Sequence, residues 1–596
     1  MSTSEPPTWP HCAHGSDPAA NPVGCRGVHV PGHTACLAHL ADADRDAYLA
    51  SLTPGASVDH RCTTFTEFLL NAFLSALRDP ATGHPRLGDA WFELATFEGV
   101  AGFGSATFEG DAAFELATFE GAAVFGSATF KGGAWFGAAT FKDTAGFEAA
   151  TFKRGAGFGA TFEGDAAFGS ATFEGAAVFG SATFKDTAWF EAAAFDDSAL
   201  FELATFEGAA VFGSATFKGN AVFQSATFVE ADRVGPLVCA GRVVLSGAKF
   251  GGPVTLSFAA RRLECRRTRW SSTAEIRLRY ATVDFAHAVF EHPLTIAAEP
   301  DPFVLTDGRQ LAEDPFPSAP DPGGRVASLR GVDAAHLVLA DLDLSGCLFA
   351  GTVHLDQLRL EGACTFDTAP PAVHWRPWPP VRFSQRRVLA EEHHWRASQP
   401  GTVRGWNVAV LGAGRAGPLQ LAPVYRALRK AFEDGKHEPG AADFYYGEME
   451  MRRNADDIPR GERRLLTVYW ALSGYGLRAS RALAWLGAAM ILTIILLMAF
   501  GIAQDTPKQT ATGTVPLGGG KVTFEIDKDD PQNPTGNRFT GERFEKALNV
   551  TLNSVVFRSS GQDLTTAGTY IEMTSRLTEP VLLGLAVLAV RNRVKR

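Results

Sequence analysis

Paired cysteines are missing from this chain. Its eight cysteines are scattered through 596 residues with no CxxC anywhere. Neither a small disulfide framework nor a double-CxxC zinc ribbon is therefore indicated. No secretory signal is expected either, because residues 1–60 are polar and carry proline and histidine. A reduced, cytoplasmic setting is predicted for everything ahead of the apolar C-terminal segments. Basic charge is short: 55 Lys and Arg face 65 Asp and Glu, a net charge of −10. That balance disfavours nucleic acid as a partner of the whole chain. No nucleophile–base–orienter set and no compact acid pair stands out, so no enzymatic activity is predicted.

What the chain has in excess is phenylalanine, 45 residues, against eight tyrosines. From Phe92 to Phe228 one phrase recurs: ATFEGVAGFGS, ATFEGDAAFEL, ATFEGAAVFGS. Phenylalanines fall at alternating steps of five and six, with one step of four from Phe158 to Phe162. Each has alanine two residues before it, from Ala90 before Phe92 to Ala226 before Phe228. A step of five or six fits neither a helical face nor a flat strand. Gly and Asp soon after many phenylalanines weigh against a long helix. The pattern predicts a solenoid of short extended segments and turns, with Phe and Ala pointing inward. Alanine must be small there, because a second large side chain would overpack the lumen.

The Ala-x-Phe unit, and its leucine form Ala340-Asp341-Leu342, resemble the pentapeptide-repeat family. The resemblance implies a mainly β fold, a right-handed quadrilateral β-helix with one five-residue unit per side. The extra residue in alternate units is expected to bulge two corners in four and to lengthen a coil to about 22 residues. Residues 92–228 would then form roughly six coils spaced by about 4.8 Å. Some pentapeptide-repeat proteins mimic DNA and bind topoisomerases. The tract's 17 acidic and 6 basic residues keep that alternative open, although acidic side chains outside a solenoid chiefly keep it soluble.

Residues 1–88 form a predicted N-terminal cap, with amphipathic helices over Asp42–Leu52 and Thr66–Leu77. Its polar cluster offers Cys12, Cys25, Cys36 and His39 as ligands for a structural zinc. The other reading is buried thiols beside solvated histidines. The regular repeat is assigned to 89–230. Irregular coils are expected over 231–368, interrupted by a proline-rich insertion at 299–324. Residues 369–421 read as a linker rich in Pro, Trp and Gly, where His393 and His394 are expected to be solvated.

Within that linker, Val408-Ala-Val-Leu-Gly412-Ala-Gly414-Arg-Ala-Gly417 spells the GxGxxG dinucleotide fingerprint, with Glu433 near the place of a ribose-binding acid. Pro423 should break the helix that such a site requires. A glycine turn is the plainer reading, and no cofactor beyond the possible zinc is expected.

Residues 422–480 read as a helical hairpin, turning at Gly435–Gly440, and a juxtamembrane segment. The block Tyr425-RALRKAFED to AADFYYGEMEMRR453 resembles one found beside the membrane segments of bacterial pentapeptide-repeat membrane proteins. Glu448 and Glu450 read as solvated partners of Arg452 and Arg453. Within 481–596, residues 482–504 carry no charge and are long enough for one bilayer crossing. Basic flanks at Arg478, Arg481 and Arg591–Arg596 put both ends on the cytoplasmic side, which requires a second crossing at 570–590. Glu572, Arg576 and Glu579 in it would pair or line an interior. The polar loop between the spans, about 505–569, would lie outside. Span, amphipathic stretch and span resemble a two-helix pore domain, with Phe557-Arg-Ser-Ser-Gly561-Gln-Asp563 in the place of the filter. One filter glycine is missing, and Arg558 opposes cations there.

The chain thus reads as a multi-pass membrane protein of the cell membrane. Its solenoid is a non-enzymatic scaffold for a cytoplasmic protein partner. The alternative is a channel-like protein with a β-helical cytoplasmic domain. Either could assemble as a homo-oligomer.

Overall fold

The computed structural model describes residues 6–17, 21–316, 321–370, 373–374, 381–382, 384–400, 402, 404–406, 414, 416–503, 518 and 537–594. The chain divides into two compact units, 1–416 and 417–596.

The first unit is a parallel β-solenoid of about 12 turns. Each regular turn carries four two-residue strands, and each strand pairs with its equivalent one turn on. One row stacks 11 strands in parallel, from Thr64–Thr66 to Val289–Phe290. Its register repeats every 22 residues: Phe97 stands over Phe119, and Phe119 over Phe141. Stacked rings lie 4.7 Å apart at Phe97–Phe119 and 5.0 Å at Phe103–Phe125, the spacing of hydrogen-bonded strands. The phenylalanines and the alanines two residues before them are buried throughout the tract.

The alternation of five and six has a structural cause. In a five-residue step the corner is a β-turn, such as the one closed by Ala95 N–H to Phe92 O at 3.0 Å. Its third residue is left-handed: Leu94, Ser105, Leu116, Ser127 and so on through Ser225. The single four-residue step, Phe158 to Phe162, drops the left-handed residue, and Ala160 N–H closes onto Phe158 O at 2.7 Å instead. The ladder absorbs the deletion, because Thr140 and Phe141 pair with Thr161 and Phe162 in the same register. At some corners the turns approach closely enough to favour glycine, although Asp143 fills the place equivalent to Gly121 one turn on. A Cβ on Gly121 would sit 2.6 Å from the Gly99 carbonyl oxygen.

The solenoid starts earlier than the repeat. Val58 pairs with Ala90, and Phe65 stacks on Phe97 at 5.3 Å, so a first turn lies inside the segment read as cap. Helix α1 (Asp42–Ser51) and helix α2 (Glu67–Ala76) grow out of that turn. Thr66 caps α2 by accepting from Leu69 N–H at 3.3 Å. Phe73 of α2 then packs over Phe65 and Phe92, closing the open end of the lumen. The ladder also runs past Phe228 through Phe250, Trp270 and Phe290, and a further row continues to Arg359–Glu361.

His60 is sealed under this cap, fully buried among the rings of Phe65, Phe73 and Phe92. Tyr48 Oη lies 3.3 Å from its Nε2, whereas Nδ1 has no partner among the described residues. Burial lowers its pKa to about 4, against a weaker opposing pull from Asp59. The unfolded chain takes up this proton near pH 6.5 while the folded chain refuses it. The stabilisation from neutral His60 is therefore complete above pH 6.5 and is lost as pH falls towards 4, by about 3 kcal/mol in total. Thermal melts of wild type and His60→Phe should diverge across that window and run parallel above it. Parallel curves throughout would show that His60 is not buried neutral.

The proline-rich insertion is a flap on the solenoid wall. Phe303, Leu311 and Phe316 pack on Val238 and Ala259. Beyond it, helix α3 (Ala390–Ala397) closes the far end of the coils. Its Glu391 accepts from Phe349 N–H at 2.5 Å and Ala350 N–H at 2.9 Å. His393, expected to be solvated in a loop, is instead buried in α3 with Nε2 3.3 Å from Asp367. The ring lies at 5.0 Å from Trp406, and this aromatic contact draws it inward.

The second unit is α-helical. Helix α4 (Pro418–Asp434) and helix α5 (Glu438–Asn454) form the predicted hairpin, but α4 starts further back than expected. Pro423 does not break it. It stands early in the helix, so the carbonyl it leaves unpaired is that of Leu419, which is exposed and can meet water. The turn is shorter than predicted, with α5 starting at Glu438. Glu448 and Glu450 are buried, not solvated. Glu448 takes Arg426 at 2.8 Å and Arg429 at 2.9 Å across the hairpin. Glu450 takes Arg453 at 3.0 Å and the Tyr475 hydroxyl at 3.0 Å. Gly447 is needed for that crossing, because a Cβ there would run into the Tyr425 ring.

Helix α6 (Arg460–Ser473) leads to helix α7 (Ala479–Leu496), which ends in a wide turn at Leu497–Gly501. Helix α8 (Gly541–Val555) and helix α9 (Thr566–Val594) follow. The stretch expected to be loop thus contains a 15-residue helix, while residues 504–517 and 519–536 lie outside the described residues. Arg543 of α8 donates to the carbonyls of Met498 and Ile502, both at 2.8 Å, and so satisfies the open end of α7. The segments Ala479–Gly501 and Thr566–Asn592 are long and apolar enough to cross a membrane. Only 28% and 22% of their most apolar windows are buried, whereas a soluble core helix would be mostly covered. Their contact uses small and polar groups: Gly501 against Gly568, and Thr493 Oγ1 donating to buried Glu579 Oε1 at 3.0 Å.

Candidate metal centre and binding groove

Two places in the first unit gather chemistry. The first is the cluster read from sequence. Cys12, Cys25, Cys36 and His39 come together, and their four ligand atoms all lie within 4.8 Å of one another. Local structure explains how. Cys12 N–H bonds Gly27 O at 2.9 Å and Cys25 N–H bonds His14 O at 2.9 Å, so two extended arms hold their thiols face to face. The short turn Leu37–His39 then presents Cys36 and His39 on one side. Cys36 and Cys25 share a hydrogen bond, which pulls the Cys25 thiol down to about 5 and drives Cys36 well up. Cys62 lies outside this set, and burial pushes its thiol up to about 11.

The second place is a cleft of about 1050 Å³ on the irregular coils. Arg262, Arg266, Arg267, Arg330, His287 and His393 are among its walls. Composition changes abruptly here. Residues 233–279 hold ten basic and two acidic side chains, against six basic and 17 acidic between 92 and 228. Arg266 is anchored by buried Asp284 at 2.7 Å, and Arg262 by Glu264 at 3.0 Å. Arg267 is exposed on a left-handed turn with no ion pair among the described residues. Whole-chain net charge hid this groove. A count in windows of one or two coils would have found it.

The glycine fingerprint is not brought into a described site. Residues 407–413 and 415 lie outside the described residues, Gly412 among them. Gly414 has φ +67°, and Gly417 is the N-cap of α4. No β-strand of any length is found in the described part of 417–596, so nothing there builds the parallel sheet on which that fingerprint works.

The four-row parallel solenoid is built from Ala-x-Phe units, a pattern similar to that of pentapeptide repeats. Comparison with known families agrees: residues 86–129 match the model for pentapeptide repeats (9 copies). No curated protein and no solved structure matches the chain. Solenoids of this kind present surfaces, with the lumen fully occupied by side chains.

Proposed function

We propose that this protein is a membrane-anchored, non-enzymatic interaction module. The four strand rows are read as the sides of a right-handed quadrilateral coil. The rod would stand on the cytoplasmic side, tethered by Ala479–Gly501 and Thr566–Asn592 as two spans with both termini inside. The observation that carries the reading is the joining, in one chain, of a surface-presenting solenoid to two long apolar helices whose outward faces stay uncovered.

The basic cleft is the docking face, and its charge calls for an acidic segment of a protein partner. A long polyanion such as nucleic acid would also have to pass the acidic coils next to it, and is disfavoured. Self-association through the spans is compatible with this arrangement.

A second reading rests on α8. Long helix, short amphipathic helix, irregular stretch and long helix is the order of a pore domain, and Phe557 and Gly561 are left-handed in that stretch. Arg558 works against cation passage there.

Three measurements separate the readings. Full-length protein should resist carbonate extraction from membranes, whereas a chain ending at Ser480 should be released. Charge reversal at Arg262 and Arg267 should abolish salt-sensitive partner capture without releasing the protein. Recordings of full-length protein in planar bilayers should be silent. Discrete currents lost on truncation would establish the pore reading, and release of the full-length chain by carbonate would overturn the anchor.

A further inference from the structure

We infer that the N-terminal cap is closed by a structural zinc ion held by Cys12, Cys25 and Cys36 through Sγ and by His39 through Nδ1. Three of the six ligand–ligand distances match the edges of a zinc tetrahedron, and all four ligand atoms lie within 4.8 Å of one another. With Zn–S bonds of about 2.3 Å and Zn–N bonds of about 2.0–2.1 Å, the S–S edge is about 3.8 Å and the S–N edge about 3.5 Å. Cys25 Sγ and Cys36 Sγ are 3.8 Å apart. His39 Nδ1 stands 3.3 Å from Cys36 Sγ and 3.6 Å from Cys12 Sγ. The sulfur pair is far too distant for a disulfide, whose bond is about 2.05 Å.

The surroundings suit a thiolate-bound cation. Gly27 N–H points to Cys25 Sγ at 3.4 Å, the kind of amide contact that steadies charged sulfur. A Cβ at Gly27 would fall 2.7 Å from Cys36 Cβ, so only glycine lets the two ligand segments close. The set is three sulfurs and one nitrogen, four protein ligands with no position left for water or substrate. It is a structural site, not a catalytic one. Soft thiolates with one imidazole select zinc over magnesium or calcium.

The cap also needs such a clamp. Between residue 6 and α1 the described chain has only the three-residue turn Leu37–His39 and isolated bridges as regular structure. Few apolar side chains are buried there, chiefly Val23, Val28, Val30, Leu37 and Leu40. Metal binding supplies order that so small a core cannot.

The test is metal analysis of the purified full-length protein kept reduced. About one zinc per chain is expected. Cys25→Ser and Cys36→Ser should lose it, His39→Ala should weaken it, and Cys62→Ser should keep it. Because ligand variants can misfold, cobalt exchange into the wild-type protein gives an independent readout. It should produce the intense visible bands of a tetrahedral thiolate site, abolished by added zinc. Chelation should speed proteolysis of residues 6–40 while leaving the solenoid's circular dichroism unchanged. A wild-type chain that takes up neither zinc nor cobalt overturns the inference. So does iron as the bound metal, or Cys36→Ser retaining a full equivalent of zinc.

Discussion

Phe147→Asp opens the rod at the turn that carries it. Phe147 is wholly buried, stacked at 4.9 Å on Phe125 below and at 4.9 Å on Phe168 above. Phe136 and Phe158 meet it edge-on at 5.4 and 5.2 Å. Deleting a buried phenylalanine costs about 3–5 kcal/mol through lost burial and the cavity left behind. A carboxylate in that cavity has no donor within the phenylalanine stack, which adds several kcal/mol or draws water into the lumen. The damage should stay local, because each turn of a solenoid is held by its two neighbours. Hydrogen exchange should show protection lost across roughly residues 125–169 and kept in the turns beyond Arg233. Lys142→Ala is the matched control. Its ion pair with Glu120 at 2.7 Å is exposed on both sides, and such pairs contribute at most about 1 kcal/mol. Equal loss of protection in both variants would mean that the phenylalanines do not face inward.

Glu313→Ala should release the flap over the solenoid wall. Arg279 and Glu313 form a two-pronged pair, Nε to Oε1 at 2.5 Å and Nη2 to Oε2 at 2.9 Å, with 4% and 11% of their side chains exposed. The Tyr280 hydroxyl also donates to Glu313 Oε2, at 2.8 Å, and Arg279 donates to Glu299 O at 2.9 Å. Removing the carboxylate leaves a guanidinium buried without its counter-charge, at a cost of about 3–5 kcal/mol. Replacing both partners by methionine should be far milder, since neither charge is then stranded. Limited proteolysis between 299 and 316 reads the result. Glu313→Ala should be cut much faster than wild type, and the double variant should stay close to it. An unchanged rate in Glu313→Ala would show that the apolar contacts of Phe303, Leu311 and Phe316 hold the flap alone.

Several features were invisible in the sequence for identifiable reasons. The left-handed corners are filled by Leu, Ser and Ala rather than Gly or Asn, so no turn signal marks them. They are set by the ladders on either side, which over-determine the backbone. The first turn of the solenoid was hidden because α2 interrupts it, leaving Phe65 as one isolated member of the column. Pro423 misled because a proline rule states what an isolated helix loses, and here an exposed first turn loses little. Glu448 and His393 misled because a residue's neighbours in the chain do not reveal which helix or ring will cover it.

The sequence by itself determined the β-solenoid, the 22-residue turn, the inward Ala and Phe, and the two apolar helices. Each is a periodic or contiguous pattern, written once per turn or along one unbroken run. It also named the four residues of the Cys/His cluster, through residue type and the Cys36–His39 spacing. Only the tertiary structure decided what depends on distant segments meeting. It set the four ligand atoms within 4.8 Å, the arginines of 262–267 beside Arg330 and His393 in one cleft, and the flap pinned by Arg279 to Glu313. Most of those contacts join segments distant in the chain, and no local preference encodes their meeting.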